Sequence, residues 1–286
     1  MSQGVTIMKV IGFGDNVVDK YVDIQTMYPG GNTLNFTVYA KQLGSDSSFM
    51  GIFGTDLAAA HNQDTLKKIG VDISHCKVLE GENGYAMVDL VDGDRVFLRS
   101  NKGGISNTSN YHLSAENLEY IKSFQLLHSS KYSYIENELP KIKSTGVPIS
   151  FDFSDDFTDE YIEQVAPFVN YSFLSCSHLE EIEVKELLKK VHSLGSQMVV
   201  GTLGSKGALL YNGTSFYAQA PKLVEAVDTL GAGDSFITAF LLNYVGHSAN
   251  LEEEVLIQQS LSKAAEFAAS TCMVEGAFGY GLKYEE

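Results

Sequence analysis

The chain has 286 residues, of which 44% are hydrophobic and 20% are charged. It can therefore bury one sizeable core, and we expect a single main domain over residues 1–286 with a small appendage. The formal net charge of −16 argues against nucleic acid or an anionic membrane as the main partner, since both require clustered Lys and Arg. No apolar run approaches the roughly 18 residues of a membrane helix, and the first residues lack the apolar region of a signal peptide. These features predict a cytoplasmic protein.

Short β-rich runs alternate with amphipathic stretches along the chain, which is the pattern of βαβ units around a mostly parallel sheet. Strands are predicted at residues 10–13, 124–129, 149–153, 171–175 and 198–202. Helices are predicted at 115–123, with Ser114 as the cap, at 178–194, ending at Gly195, and at 236–245 and 251–271. The predicted fold class is α/β.

Two segments predict hairpins instead. Residues 208–219 place Asn212-Gly213 between two β-rich arms, which indicates a tight hairpin. Residues 85–98 alternate apolar and polar positions around Asp92-Gly93, and residues 17–24 also alternate. These two stretches either extend the edge of the main sheet or form a separate sheet. We expect a separate lid over a substrate cleft, made of residues of about 15–30 and 84–104.

The sequence DTLGAGDSF at residues 228–236 is a glycine-rich turn directly before an apolar helix. Gly231, Ala232 and Gly233 have little or no side chain, so their N–H groups can converge on an anion at the positive end of the helix. Asp234 would repel a bound phosphate unless it has a task, such as taking the proton from an attacking hydroxyl. Taken alone, the motif is more typical of an ordinary glycine-rich helix start with Asp234 as a dipole partner.

Four motifs in order resemble the ribokinase/PfkB carbohydrate kinases. They are GDNVVD at 14–19, GGNTLNFTVYAKQLG at 30–44, TLGSKG at 202–207 and DTLGAGDSF at 228–236. The motifs extend over nearly the whole chain. The resemblance implies a ribokinase-like fold, in which helices flank a central, mostly parallel sheet beside a small β-sheet lid. It also implies transfer of the γ-phosphoryl group of ATP to a sugar hydroxyl.

The resemblance assigns a role to each matching position. Asp234 is similar to the catalytic base of the family, and the anion hole matches the N–H groups of Gly231, Ala232, Gly233 and Asp234. The nucleotide-binding segment matches Thr202, Leu203, Gly204 and Gly207. Sugar-contacting positions match Asp19, Gly31 and Asn35, with Asp15, Asn16, Gly30 and Asn32 as additional predicted contacts. Short Asp and Asn side chains can bind sugar hydroxyls in pairs.

The resemblance implies ATP and Mg2+ as cofactors, but this sequence departs from the family at one Mg2+-related motif. The family usually carries an N-x-x-E motif that organises Mg2+ through water, whereas residues 177–181 read SHLEE, without the asparagine. Glu180 is the carboxylate predicted to contact Mg2+ through water, and Glu181 is the alternative. The segment is also compatible with an ordinary helix start at the surface, where neither residue would contact Mg2+. Asp228 matches an aspartate that in some members helps to bind a monovalent cation such as K+, or it is a turn residue. The seven histidines show no metal-ligand spacing and are interpreted as incidental.

Several local strings narrow the resemblance to the fructoselysine 6-kinases, bacterial members that phosphorylate the sugar of an Amadori compound. They are GDNVVD, DRVF at 94–97, DFSD at 152–155, QAP at 219–221 and DTLGAGDSFI. The predicted acceptor is therefore a fructosamine such as fructoselysine, phosphorylated at O6. The acidic residues Asp89, Asp92 and Asp94 are compatible with its cationic tail.

Other readings stay open at this point. Another ketose, such as fructose, is the alternative acceptor. A non-catalytic sugar- or nucleotide-binding regulator is the alternative class, but it should tolerate loss of Asp234, which is retained. A dehydrogenase is disfavoured, because GFGDNVV at 12–18 lacks the third glycine of a dinucleotide fingerprint. A homodimer through the lid is one expected form of the protein.

Overall fold

The computed structural model describes residues 7–91, 94–247 and 251–285. Its strands in chain order are β1 Lys9–Gly14, β2 Val17–Tyr21, β3 Thr26–Gly30, β4 Asp46–Phe53, β5 Lys77–Val78, β6 Gly84–Val91, β7 Asp94–Ser100, β8 Leu126–Ser130, β9 Ile149–Asp152, β10 Tyr171–Ser175, β11 Met198–Thr202, β12 Ala208–Tyr211, β13 Phe216–Gln219 and β14 Leu282–Lys283. Its helices are α1 Asn32–Gln42, α2 Leu57–Ile69, α3 Ile105–Thr108, α4 Ala115–Ile121, α5 Leu139–Lys143, α6 Asp159–Val165, α7 Glu181–Ser193, α8 Ala232–His247 and α9 Glu253–Thr271.

The main sheet has nine strands in the order β13-β12-β11-β10-β9-β8-β1-β4-β5. The seven strands from β11 to β5 run parallel, and the β12–β13 hairpin adds two antiparallel strands at one edge. Apolar residues on both faces of the sheet are buried under helices, as all-parallel strands require. Ile11 of β1 packs on the face that α6 and α7 cover, and its neighbour Val10 packs on the face under α8 and α9. The predicted α/β class, with helices flanking a mostly parallel sheet, is confirmed.

A separate sheet has five strands in the order β14-β3-β2-β6-β7. Strands β6 and β7 form the predicted antiparallel hairpin, and β2 pairs with β6 in parallel. The tip of this hairpin, Asp92-Gly93, lies outside the described residues, as does the side chain of Asp94. The alternative of an edge extension of the main sheet is wrong. Strand β14, which the sequence did not predict, pairs with β3 at the edge of the small sheet.

Several predicted boundaries shift for identifiable reasons. The predicted strand at 124–129 begins only at Leu126, because the N–H groups of Ser123 and Phe124 still close the end of α4. The turn at Asn212 is wider than a tight hairpin: its Oδ1 accepts from the N–H groups of Thr214 and Ser215. Ser114 caps α4 as predicted. Within the described part of the chain, no helix combines the length and the apolar character needed to cross a membrane.

Candidate active site

The site lies where the strand order of the main sheet reverses. Strand β1 lies between β4, to which the chain goes first, and β8, to which it returns later. In open α/β sheets such a reversal leaves a crevice at the carboxyl ends of the strands, and ligands bind there. Three residues mark this edge in neighbouring strands: Asp15 follows β1, Ser130 ends β8 and Asp152 ends β9.

The Asp15 carboxylate is buried and held on one side only. Its Oδ1 accepts hydrogen bonds from the Thr33 N–H (3.2 Å) and from the hydroxyls of Thr33 (2.8 Å), Ser130 (2.9 Å) and Ser133 (2.9 Å). Oδ2 has no hydrogen bond to any described residue. A Cβ on Gly31 would lie 3.0 Å from this Oδ2, and Gly31 has a φ of 106°. Glycine therefore leaves the space beside Oδ2 open, where a ligand hydroxyl can approach.

Two further predicted sugar contacts, Asn16 and Asp19, have different surroundings. Asn16 is fully buried; its Nδ2 donates to the Ile52 carbonyl (2.8 Å), and its Oδ1 accepts from the Asn62 amide (3.4 Å). Both ends of its amide thus contact protein. The Asp19 carboxylate lies against Gly30, where a Cβ would come within 2.2 Å of Oδ2. Gly30 is therefore needed for the close approach of β3 to this carboxylate.

Helix α1 presents two amides to Asp234. Asn32 and Asn35 are three residues apart and so share one face of the helix. Asn32 Nδ2 donates to Asp234 Oδ1 (2.7 Å), and Asn35 Nδ2 donates to Asp234 Oδ2 (2.6 Å). Asp234 lies in the first turn of α8. Both oxygens of the predicted base are therefore fixed by side chains that lie about 200 residues earlier in the chain.

Asp152, which the sequence analysis did not select, belongs to the same network. Its Oδ2 accepts from Asn32 Nδ2 (2.8 Å) and its Oδ1 from the Ser154 N–H (2.8 Å). Burial raises the pKa of Asp152 to about 7, and the charges of Asp234 and Asp15 add to this rise, which the two hydrogen bonds oppose. The string DFSD contains Asp152, but an aspartate at the end of one β-rich run carries no sign of its partners.

His128 was also missed, because the histidines were interpreted as incidental. The structure gives His128 two hydrogen-bonding side-chain contacts, one of them to a residue of this network. His128 belongs to strand β8, and its side chain is fully buried. Its Nε2 is 2.8 Å from Asn32 Oδ1, and its Nδ1 is 3.0 Å from Ser150 Oγ. A single histidine without a partner at metal-ligand spacing gives no signal of such a contact in the sequence.

The glycine-rich turn before α8 has the shape of an anion site. Gly231 has a φ of 74°, and a Cβ there would lie 2.2 Å from the Tyr39 hydroxyl. A Cβ on Gly233 would meet nothing within 4 Å, so this side of the turn is open. The first N–H groups of a helix have no intrahelical acceptor, and they attract an anion. Together with Ala232 and Asp234, these residues form the start of α8.

The predicted nucleotide segment forms a tight turn at the carboxyl end of β11. Thr202 ends the strand, and the Leu203 N–H donates to the Gly207 carbonyl (2.7 Å). Gly207 has a φ of 97°, and a Cβ there would lie 2.0 Å from the Gln219 carbonyl oxygen. Gly204 has a φ of 58° and lies beside Ser177. The turn thus requires glycine at 207 and favours it at 204. Strand β11 runs parallel to β10, so it ends at the same edge of the sheet as the carboxylates.

Glu180, the predicted Mg2+ carboxylate, is exposed and caps α7. It forms a capping box with Glu183, whose carboxylate accepts from the Glu180 N–H (2.9 Å). Glu181, the alternative, is paired with Lys185. Among the described residues, no three His, Cys, Asp or Glu side chains gather to hold a metal. One exposed carboxylate fits a water-mediated contact to Mg2+ that is bound mainly by nucleotide phosphates.

Asp228 is buried, and its carboxylate accepts hydrogen bonds from several groups in the described part of the chain. Tyr21 of the small sheet donates its hydroxyl to Oδ2 (2.6 Å), and the N–H groups of Gly276 and Leu230 donate to Oδ2 and Oδ1 (2.9 Å each). These contacts join the turn before α8 to the small sheet and to the segment after α9. They fit the turn-residue reading of Asp228, and a monovalent cation would have to share its oxygens with these donors.

Comparisons with known proteins identify the family of this chain. The model of the family described as pfkB family carbohydrate kinase matches residues 1–277. The chain is 46% identical over 278 residues to a fructosamine kinase of Bacillus subtilis, which covers 97% of this chain and 95% of that protein. It is 30% identical over 265 residues to a fructoselysine 6-kinase of Escherichia coli, covering 93% and 97% of the two chains.

Solved structures share the fold at lower identity. A Vibrio cholerae fructokinase double mutant, in a form with fructose, ADP and potassium ion, superposes with a TM-score of 0.77 at 24% identity, covering 97% of this chain and 96% of that one. Arabidopsis thaliana ribokinase, complexed with ribose and ATP, has a TM-score of 0.76 at 18% identity and covers 95% and 94%. Because a family model matches almost the entire chain, this protein belongs to the pfkB family of carbohydrate kinases.

Proposed function

We propose that this kinase transfers the γ-phosphoryl group of ATP to the 6-hydroxyl of a fructosamine such as fructoselysine. The observation that carries the phosphoryl transfer is the Asp234 carboxylate, held by Asn32 and Asn35 at the open start of α8. The fructosamine acceptor is supported by the two relatives named above, at 46% and 30% identity over most of the chain.

The proposed reaction uses groups at the start of α8. The oxygen of the acceptor hydroxyl bonds to the γ-phosphorus of ATP, and Asp234 accepts the proton of that hydroxyl. The bond between the γ-phosphorus and the oxygen that bridges it to the β-phosphate breaks, and ADP leaves. The N–H groups from Gly231 to Asp234 stabilise the negative charge that spreads over the transferring group. The two amides of α1 keep the carboxylate oriented, so that its reorganisation during the reaction is small.

The sugar would lie between the carboxyl end of β1 and helix α1. Asp15 Oδ2 offers an acceptor for a hydroxyl, and Asn35 Oδ1 is buried without a hydrogen-bond partner among the described residues. A buried polar atom without a partner is costly, and a sugar hydroxyl would satisfy it. Gly31 lies beside Asp15 Oδ2 and Gly30 lies beside the Asp19 carboxylate, and we place these residues around the same sugar. Because both ends of the Asn16 amide contact protein, we assign Asn16 a supporting role.

The nucleotide would bind along the turn of Thr202, Leu203, Gly204 and Gly207. Glu180 would contact Mg2+ through water, and bound Mg2+ would neutralise charge on the phosphates. Potassium at Asp228 would have to share the carboxylate with the hydroxyl of Tyr21 and the N–H groups of Leu230 and Gly276.

The small sheet would act as the lid. Alternate residues of a strand face the same side, so Asp19 and Tyr21 of β2 share a face with Tyr28, the register partner of Asp19. That face points towards the site, because Tyr21 reaches Asp228 and Tyr28 donates to Glu275 (2.9 Å). Residues of about 15–30 and 84–104 would therefore cover the acceptor and exclude water.

Side-by-side kinetics with fructoselysine and fructose test the acceptor. With a net charge of −16, the chain should favour the cationic fructoselysine, giving a higher kcat/KM than for fructose. Part of that preference should weaken at high salt, because exposed attractions are screened. Equal or better efficiency with fructose would refute the fructosamine assignment and favour the ketose alternative. Absence of any turnover with sugars would favour the non-catalytic regulator.

A further inference from the structure

His128 is a buried polar residue in the middle of the main sheet. It lies on β8, and its ring packs against Phe36 of α1, with the ring centroids 4.6 Å apart and the ring planes tilted by 30°. A buried imidazole is tolerated when both nitrogens are hydrogen-bonded, and here Ser150 Oγ and Asn32 Oδ1 are the partners. The ring therefore has a directed contact with the proposed active site.

Hydrogen-bond chemistry fixes the orientation of this contact. Asn32 Nδ2 lies 2.7 Å from Asp234 Oδ1, and the ionised carboxylate of a base only accepts, so the amide nitrogen must be on that side. Asn32 Oδ1 then faces His128 and requires a donor, which is Nε2–H. A neutral imidazole has one donor, so Nδ1 accepts from the Ser150 hydroxyl. Burial lowers the pKa of His128 to about 3, which keeps the ring neutral in the physiological range.

The opposite orientation of Asn32 would be unfavourable. Its carbonyl oxygen would face the carboxylates of Asp152 and Asp234, and its NH2 group would face the His128 ring. The imidazole thus adds to the preference for the one amide orientation in which a single nitrogen, Asn32 Nδ2, donates to both carboxylates. His128 is the described partner of Asn32 Oδ1, so without it only the nitrogen end of the amide is held, by its bonds to the two carboxylates.

We propose that His128 is a positioning residue of the phosphoryl-transfer reaction, which acts through Asn32 to orient Asp234 and Asp152. This inference rests on the proposed role of Asp234. His128 does not contact substrate in this scheme, so its loss should lower kcat and leave the KM for ATP unchanged.

The first test compares His128→Phe with a matched control. Phenylalanine keeps the ring and its packing on Phe36 but removes both nitrogens, and kcat should fall about 10-fold, in the range expected for a misoriented base. His128→Gln restores a donor near the Nε2 position and should recover part of the loss. The control is His192→Phe, which changes a histidine that packs on Tyr211 of β12, near one edge of the main sheet. This variant should retain full kcat. Full kcat in His128→Phe, or no recovery in His128→Gln, would overturn the proposal.

A double-mutant cycle separates positioning from general damage. If His128 acts only through Asn32, the variant that combines His128→Phe and Asn32→Ala has the same kcat as Asn32→Ala alone. Independent effects that multiply would overturn the proposal. Ser150→Ala is a milder variant for the case that His128→Phe folds poorly. It removes the hydroxyl that donates to His128 Nδ1, so the proton of the ring is no longer confined to Nε2. It should lower kcat about 3-fold when Asn32 is present and should not lower it in the Asn32→Ala background. An effect in both backgrounds would also overturn the proposal.

The cycle is measured with whichever sugar the wild-type protein phosphorylates, so a wrong acceptor assignment does not affect it. Failure of the proposed function has a separate signature, which is full kcat in Asp234→Asn. The positioning role fails when Asp234→Asn is inactive and His128→Phe is fully active.

Discussion

Asp234 is the residue on which the proposed chemistry depends most directly. Asp234→Asn should keep the fold and ATP binding, because asparagine fills the same volume in the first turn of α8. Its side chain cannot accept the proton of the acceptor hydroxyl, so kcat should fall by roughly 100-fold or more. Steady-state kinetics and nucleotide titration measure the two effects separately. Near-normal turnover would remove Asp234 from the role of base.

Asp152 gives a pH-dependent prediction. Its folded pKa of about 7 lies above the unfolded value near 3.8, so between these values the folded protein binds the proton more tightly. Its contribution to stability is therefore fully present below about pH 4 and is lost as pH rises towards 7, by up to about 1.4 kcal/mol per pH unit. Asp152→Asn cannot titrate and should lack this loss.

Urea unfolding of both proteins from pH 5 to pH 8 measures the difference. The free energy of unfolding of Asp152→Asn, relative to wild type, should rise with pH up to about pH 7 and then become constant. His128 has a lowered pKa and titrates in the opposite sense, but it is present in both proteins, so its effect largely cancels in the comparison. A difference independent of pH would show that Asp152 is not perturbed.

At the scale of elements, the small sheet is tied to the main domain mainly on one side. Tyr21 and Tyr28 anchor β2 and β3, whereas β7 forms the free edge. We therefore expect the β6–β7 hairpin to open and close while β2 and β3 stay in place. Amide hydrogen exchange should slow in peptides from β6 and β7 when the acceptor sugar is added. Peptides from the β12–β13 hairpin, at the far edge of the main sheet, serve as the control. Unchanged exchange in β6 and β7 with saturating sugar would contradict the lid.

The two hairpins show how far local patterns go. The alternation around Asp92-Gly93 correctly predicted β6 and β7, and a turn at Asn212 was correctly predicted between β12 and β13. The pairing of β6 with β2, by contrast, joins strands that are about 65 residues apart. Strand β14 has only two residues, too few for a periodic pattern. The pairing of β14 with β3 depends on where the chain emerges after α9.

At the scale of the whole molecule, the free edge of the small sheet is apolar. Strand β7 exposes Val96 (42%), Phe97 (66%) and Leu98 (52%). An exposed apolar edge strand tends to pair with another chain. We propose that a second copy covers it, giving the homodimer through the lid. Sedimentation equilibrium should then show a dimer at micromolar concentration.

Matched variants test this interface. Phe97→Glu adds a charge at the edge and should produce a monomer. Leu223→Glu changes a residue that is 80% exposed on a loop outside both sheets, and it should remain dimeric. A wild-type monomer, or a dimer that persists in Phe97→Glu, would contradict the proposed interface.

The sequence by itself determined what depends on neighbours along the chain. Strand and helix periodicity gave the α/β class, and the glycine-rich motifs located the start of α8 and the turn after β11. At Gly31 and Gly231 the positive φ angles explain why those motifs contain glycine. Asp15, Asn32, Asn35 and Asp234 were all selected from motifs, and the structure brings them to one edge of the main sheet.

Only the tertiary structure decided how those side chains are used. Asn32 bridges Asp152, Asp234 and His128, which lie 120, 202 and 96 residues away along the chain. Asn16 was selected with Asp15, yet it turns inward to Ile52. The physical reason is that hydrogen bonds are directional and short, so a partner is set by the order of strands and the rotation of a helix. A motif records which groups are present, and strand order determines which of them meet.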